Sequence, residues 1–212
     1  MIAGLLFLAF AFFAVAQAGT VRGGGQSAAD AAALAAARED RDAFRDGLLD
    51  ALGRGAGEED DSGADGREGA GTWQDWLAGS APLTGDGCGQ AERFAARNRS
   101  DLTGCTAVTR DGDDGYTVHV RTRFDTGDSV VPGAAHKKAR ARATAVVRPR
   151  CEPADDGGGD HGSGSGSSDG GHGHGRHHSL QLHCDGGDFT LDPDDTSAGP
   201  QPSDLYSVVL VE

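Results

Sequence analysis

Residues 1–40 read MIAGLLFLAF AFFAVAQAGT VRGGGQSAAD AAALAAARED, an apolar run that passes through a glycine-rich step into an alanine-rich stretch. Met1 to Ala16 carries no charged and no strongly polar side chain. Transfer of such a segment to hydrocarbon is opposed only at the backbone, and a helix satisfies the backbone internally. With Gln17 included the run reaches Ala18, close to the ~20 apolar residues that cross a bilayer core of about 30 Å. As a cleaved secretory signal the run offers Ala16-Gln17-Ala18 as a small-x-small cleavage site, but no Lys or Arg precedes the apolar core, as an n-region requires. As a retained anchor, residues 1–18 are a transmembrane segment whose helix resumes in a stalk over residues 19–53. A buried core helix is a third reading of the same run. The missing basic n-region favours the anchor.

Composition constrains the chain beyond the anchor. The chain has 212 residues with 35 glycines and 6% aromatic side chains, so the folded part is small. A formal net charge of −14 argues against nucleic-acid binding, which needs a basic face, and against adhesion to anionic lipid through overall charge. Much of the charge is local: Glu152 to Asp195 holds ten acidic residues against the single Arg176. The four cysteines Cys88, Cys105, Cys151 and Cys184 follow a membrane-targeting segment, which places them on the oxidising side and predicts that they pair. Three connectivities are open, of which Cys88 with Cys105 and Cys151 with Cys184 is the simplest. No Cys-x-x-Cys spacing supports a zinc knuckle or a redox pair.

Gln26 to Leu52 is rich in Ala, Leu, Arg and Glu and is predicted helical on propensity alone. Leu34, Ala37, Phe44, Leu48 and Leu52 make one apolar stripe, and Arg38, Asp42, Arg45 and Asp46 the polar face. Residues 54–71 lack hydrophobic periodicity and read as a flexible linker. Thr72 caps a short helix that sets Trp73, Trp76 and Leu77 on one face, as core. Cys88 to Asn98 has helical spacing, and a strand is predicted at Cys105 to Thr109. Arg110-Asp-Gly-Asp-Asp-Gly is turn chemistry; it lacks the spaced ligands and closing Glu of a calcium loop. Tyr116, Val118, Val120, Thr122 and Phe124 then alternate with polar residues as a half-buried strand does. Ala139, Ala141, Ala143, Ala145 and Val147 alternate likewise with Arg140, Arg142, Thr144 and Arg148, giving one small buried face and one basic, solvated face. Residues 152–178 are low-complexity Gly, Ser, Asp and His, predicted disordered. Ser179 to Cys184 and Tyr206 to Val211 are two further strands. The sequence thus predicts an α+β chain: an N-terminal transmembrane and stalk helix, then a small antiparallel-sheet domain over 72–151 and 179–212, with disordered Gly/Asp/His-rich loops.

One cluster has metal-ligand chemistry. His172, His174, His177 and His178, with His161 and His183 nearby, are imidazoles that bind zinc, nickel or copper weakly in vitro. Glycine-flanked histidines lack the preorganisation and outer hydrogen bonds of a functional site, so no metal and no cofactor is assigned. Gly23-Gly24-Gly25 lacks the Lys-Ser/Thr of a P-loop, and no nucleophile elbow or isolated carboxylate pair is present. The motifs predict no enzyme.

The apolar helix passing into Gln26-Ser-Ala-Ala-Asp-Ala-Ala-Ala-Leu-Ala-Ala-Ala resembles the N-terminal segment of TadG-like and TadE-like proteins, components of Flp (tight adherence) pilus assembly. Ser129-Val-Val-Pro-Gly and Thr-Ala-Val-Val-Arg-Pro-Arg-Cys ending at Cys151 are similar to the actinobacterial members. The resemblance implies a single-pass membrane protein with a short cytoplasmic N-terminus, an extracytoplasmic C-terminal part, and pilin-like or Tad-system membrane proteins as partners beside the lipid bilayer. On this reading Leu34, Phe44 and Leu48 continue the lateral helix packing outside the bilayer. Residues that usually precede the run in that family are absent, so the start is expected to lie upstream; this also accounts for the missing basic n-region and leaves Arg22 on the wrong flank for the positive-inside rule. The run holds no acidic residue of the kind pilins use to set register, which disfavours a major-subunit role. The competing expectation is a secreted binding protein, its signal removed after Ala18, that captures metal through its histidines.

Overall fold

The computed structural model describes residues 2–55, 72–82, 85–128, 135–154, 179–192 and 199–212. The chain is α+β, a long apolar N-terminal helix followed by antiparallel sheets. The elements are α1 (Ile2–Gly55), α2 (Trp73–Leu77), α3 (Gly87–Arg97), β1 (Ser100–Arg110), β2 (Asp113–Thr122), β3 (Arg140–Pro149), β4 (Cys151–Pro153), β5 (Leu180–Cys184), β6 (Gly187–Leu191), α4 (Pro202–Leu205) and β7 (Tyr206–Val211). They fall into two compact units, one of Met1–Arg41, Thr84–Arg148 and Val208–Glu212, the other of Asp42–Leu83 and Pro149–Ser207.

In the first unit a four-stranded sheet has the order β1-β2-β3-β7. The β1–β2 hairpin closes through Asp111 and Gly112, with φ of 55° and 95°. Two successive positive φ values match the right-handed twist of a hairpin, and Asp-Gly adopts them readily. Along β2, Tyr116, Val118, Val120 and Thr122 are buried while His119 and Arg121 are exposed, the period of a sheet with one covered face. The alternation predicted for β3 holds only at its ends: Ala143 to Val147 are all buried, and Arg140, Arg142 and Arg148 alone keep the basic face. The helix α1 runs unbroken through Gly23-Gly24-Gly25, although each glycine costs about 1 kcal/mol against alanine. The sheet explains two of them. A Cβ on Gly24 would lie 2.8 Å from Phe124 Cζ, and one on Gly25 would lie 3.1 Å from Ala139 Cβ. Residues 28–37 continue this close packing, with Ala28, Ala29, Ala32, Ala33, Ala36 and Ala37 fully buried.

The second unit is built on an aromatic cluster. Phe44 meets Trp76 edge-on at 6.1 Å between ring centroids and Tyr206 at 5.7 Å, and the Tyr206 hydroxyl donates to the Trp76 carbonyl at 2.9 Å. Gly47 gives the Trp76 indole its place against α1, since a Cβ there would sit 2.5 Å from the ring. Trp76 is held by a capping box in which Thr72 Oγ1 accepts from Asp75 N–H and the Asp75 carboxylate accepts from Thr72 N–H. The Thr72 hydroxyl, which donates to Asp75 Oδ2 at 2.8 Å, and then the Thr72 N–H hold the Asp75 carboxyl below its ordinary value. The strands β4, β5 and β6 form a second, three-stranded antiparallel sheet, whose Leu182 and Leu191 are fully buried.

The residues expected to pack against other helices, Leu34, Phe44 and Leu48, differ in burial. Phe44 and Leu48 are fully buried in the folded chain, and Phe44 is spent on Trp76 and Tyr206, so neither is free to face a neighbouring helix. Leu34 is part-exposed. The apolar stripe is real, but it faces inward because the chain's own sheet and aromatic residues bury it.

Candidate functional site

The feature with the largest functional content is the first part of α1. An 18-residue window within it has a mean hydropathy of 1.9, and no charge precedes Arg22. Its large side chains are exposed in every direction, from Leu6 at 54% to Phe12 at 78%. Helical geometry places Ile2 to Val21 over about 30 Å, the thickness of a bilayer core. Thr20, the one hydroxyl in that span, returns its proton to the Ala16 carbonyl at 3.1 Å, which removes a donor that hydrocarbon would leave unmet. The helix passes Ala18 without a break. It is therefore long and apolar enough to cross a membrane.

The disulfides staple the folded parts. Cys88 at the start of α3 is bonded to Cys105 of β1, and Cys151 of β4 to its register partner Cys184 of β5; no cysteine is free. His172, His174, His177 and His178 lie outside the described residues, as do residues 56–71 and 155–178 of the predicted linker and insert. His183 pairs with Asp188 at 2.6 Å on the exposed side of β5 and β6. Among the described residues no group of three His, Cys, Asp or Glu side chains is placed to hold a metal ion.

Sequence reading missed Asp40. It is completely buried; its Oδ1 accepts from the Tyr116 hydroxyl at 3.2 Å, and its Oδ2 has no hydrogen-bond partner among the described residues. Burial raises the Asp40 carboxyl to about 6, with smaller contributions from the charges of Glu39 and Asp114 and an opposing one from the Tyr116 bond. Tyr116 is pushed up to about 12, mainly by its own burial and then by the charge of Asp40. Two glycines make room for the pair, since a Cβ on Gly85 would approach Asp40 Oδ1 to 2.9 Å and one on Gly87 would approach Tyr116 Cζ to 2.5 Å. A signal was available: Ala36, Asp40, Phe44, Leu48 and Leu52 recur every four residues, so Asp40 interrupts the apolar stripe.

The outer face of the first sheet carries the other polar feature. His119 lies opposite Arg142 and Arg121 opposite Arg140 in the β2–β3 register, and with Thr103 they line a shallow open groove. None of these four side chains has an ion-pair partner among the described residues, whereas Arg123 is bonded to Asp101 at 2.7 Å and Arg148 to Asp113 at 2.6 Å. No protein-family model, no curated protein and no solved structure matches the chain.

Proposed function

We propose that this chain is a non-enzymatic, membrane-anchored component of Flp/Tad pilus assembly or a related secretion apparatus, with its folded units on the extracytoplasmic side. The observation that carries the membrane part is the exposure of the large apolar side chains between Ile2 and Val15: in water, so much uncovered apolar surface is a liability, and in hydrocarbon it is the solvated state. The two disulfides support an oxidising compartment for the folded units. The pilus assignment rests on the resemblance of residues 1–37 to TadG-like and TadE-like N-termini. In this reading α1 anchors the chain and meets other pilin-like helices within the bilayer, where small residues such as Gly4, Ala9 and Ala16 permit close approach. Outside the membrane segment Phe44 and Leu48 are occupied internally, and of the three stripe residues Leu34 alone keeps exposed surface for such a contact. Deleting the chain from its native cell tests the role: loss of surface filaments, restored by the intact chain, is expected, and an unchanged number of filaments would overturn it.

A further inference from the structure

The chain is strongly acidic overall, yet the end of the first unit next to the apolar helix is basic. Three contacts fix which end that is. Gly24 packs under Phe124 and Gly25 under Ala139 and Thr122, and Gln26 Nε2 donates to the Arg142 carbonyl at 3.4 Å. Far along the same helix, Asp40 meets Tyr116. From Gly25 to Asp40 the helix rises ~22 Å, and from Thr122 to Tyr116 the strand covers ~20 Å. Strand β2 therefore runs alongside α1, with its Thr122 end beside the apolar segment.

At that end stand Arg121, Arg123, Lys137, Lys138, Arg140 and Arg142, all exposed. Among the described residues the carboxylates near them are Asp101, paired to Arg123, Asp125 and Asp128, both against His136, and Asp30, which accepts from Gln26 Nε2 at 2.7 Å. Arg121 and Arg140 directly oppose each other, and like charges facing across a ladder destabilise it. An anionic layer relieves that repulsion. Gly25 lies four residues beyond Val21, about 6 Å along the helix, and the headgroup zone on each side of a bilayer is about 5–7 Å deep. The cations thus stand within about one Debye length, ~10 Å, of the headgroup charge.

We propose that this basic end of the first unit is a docking surface for anionic lipid headgroups, which seats the folded unit on the bilayer that α1 crosses. The proposal rests on the anchor reading. It also qualifies the argument from net charge, because the lipid meets the local field of this end and not the sum over the chain.

The full chain, reconstituted in phosphatidylcholine vesicles containing a trace of spin-labelled phosphatidylglycerol or spin-labelled phosphatidylcholine, tests it. The labelled phosphatidylglycerol is expected to associate at least about fivefold more than the neutral lipid, with the preference falling as salt rises. Arg121→Gln with Arg140→Gln and Arg142→Gln should abolish most of the preference, and the three Arg→Lys replacements should keep it. Equal association of the two lipids with the unaltered chain, which needs no variant to fold, would overturn the proposal, as would a preference that survives the Gln variant. Displacement of the labelled lipid by inorganic phosphate would reassign the site to free anions and also overturn it. Carbonate washing of the same vesicles separates the two readings: release ends the anchor itself, whereas retention without lipid preference ends only the headgroup surface.

Discussion

The two halves of α1 invert the usual relation between side-chain size and burial. In residues 2–15 the phenylalanines and leucines are exposed, Phe7 at 73% and Phe12 at 78%, while in residues 28–37 six alanines are fully buried. Hydrophobic burial in water favours the larger side chain, by about 1.5–3 kcal/mol for Leu or Phe, so water alone would arrange the helix the other way. The difference teaches that the halves answer to different partners. The second half is narrow so that the chain's own sheet can approach, and the first, on the proposed anchoring, is wide because hydrocarbon is the medium it fits.

The largest break in that contrast comes from paired truncations. Phe44→Ala should destabilise the second unit by about 3–5 kcal/mol, measured by chemical unfolding in detergent, whereas Phe12→Ala should leave the unfolding midpoint of both units unchanged. Leu8→Arg should cost about 2.5–3.5 kcal/mol of membrane insertion and move the chain from the membrane fraction toward the soluble one, without loss of either disulfide in the material that folds. Overpacking sharpens the same line: Ala36→Leu should cost about 1–3 kcal/mol of stability, and Ala18→Leu, at an exposed position, should leave the unfolding free energy unchanged.

The smallest effect concerns Asp40, the one acid in the buried stripe. Its carboxyl titrates near 6 in the folded chain against 3.8 when unfolded, so the folded state binds the proton more tightly. Its stability contribution is complete below the unfolded value and is lost as pH rises through about 6. Between about pH 8 and pH 5 the first unit should gain roughly 1 kcal/mol from this residue. The groups that act on it, Glu39, Asp114 and Tyr116, leave the sign unchanged. Asp40→Asn should flatten that part of the pH profile, read as the difference in unfolding free energy between variant and parent at the two pH values; equal slopes would show that the buried carboxyl is not the source.

Local rules made much of this fold legible. The Thr72 cap, the Asp111-Gly112 turn, the alternation of β2 and the helical spacing before Asn98 each depend on neighbours within a few residues, and each element stands close to its predicted place. Tertiary partners decided what was not legible. The stripe through Phe44 and Leu48 looks the same whether it faces another chain or the chain's own Trp76 and Tyr206. Asp40 stood outside both the apolar stripe and the polar face read from the sequence, although its four-residue spacing from Ala36 and Phe44 marks it as inward. The basic face of β3 read as a continuous stripe, and the buried run from Ala143 to Val147 divides it, leaving Arg140 and Arg142 at one end and Arg148 at the other.

The central claim is that residues 2–20 lie in hydrocarbon while the remainder, from the buried Val21 on, folds outside it. Alkaline carbonate extraction of membranes holding the full chain tests this most directly, with the mature N-terminus read by mass spectrometry on the same sample. The account predicts that the chain stays in the pellet with residues 2–20 intact; a chain released to the supernatant, or one that begins at Gly19, would contradict it.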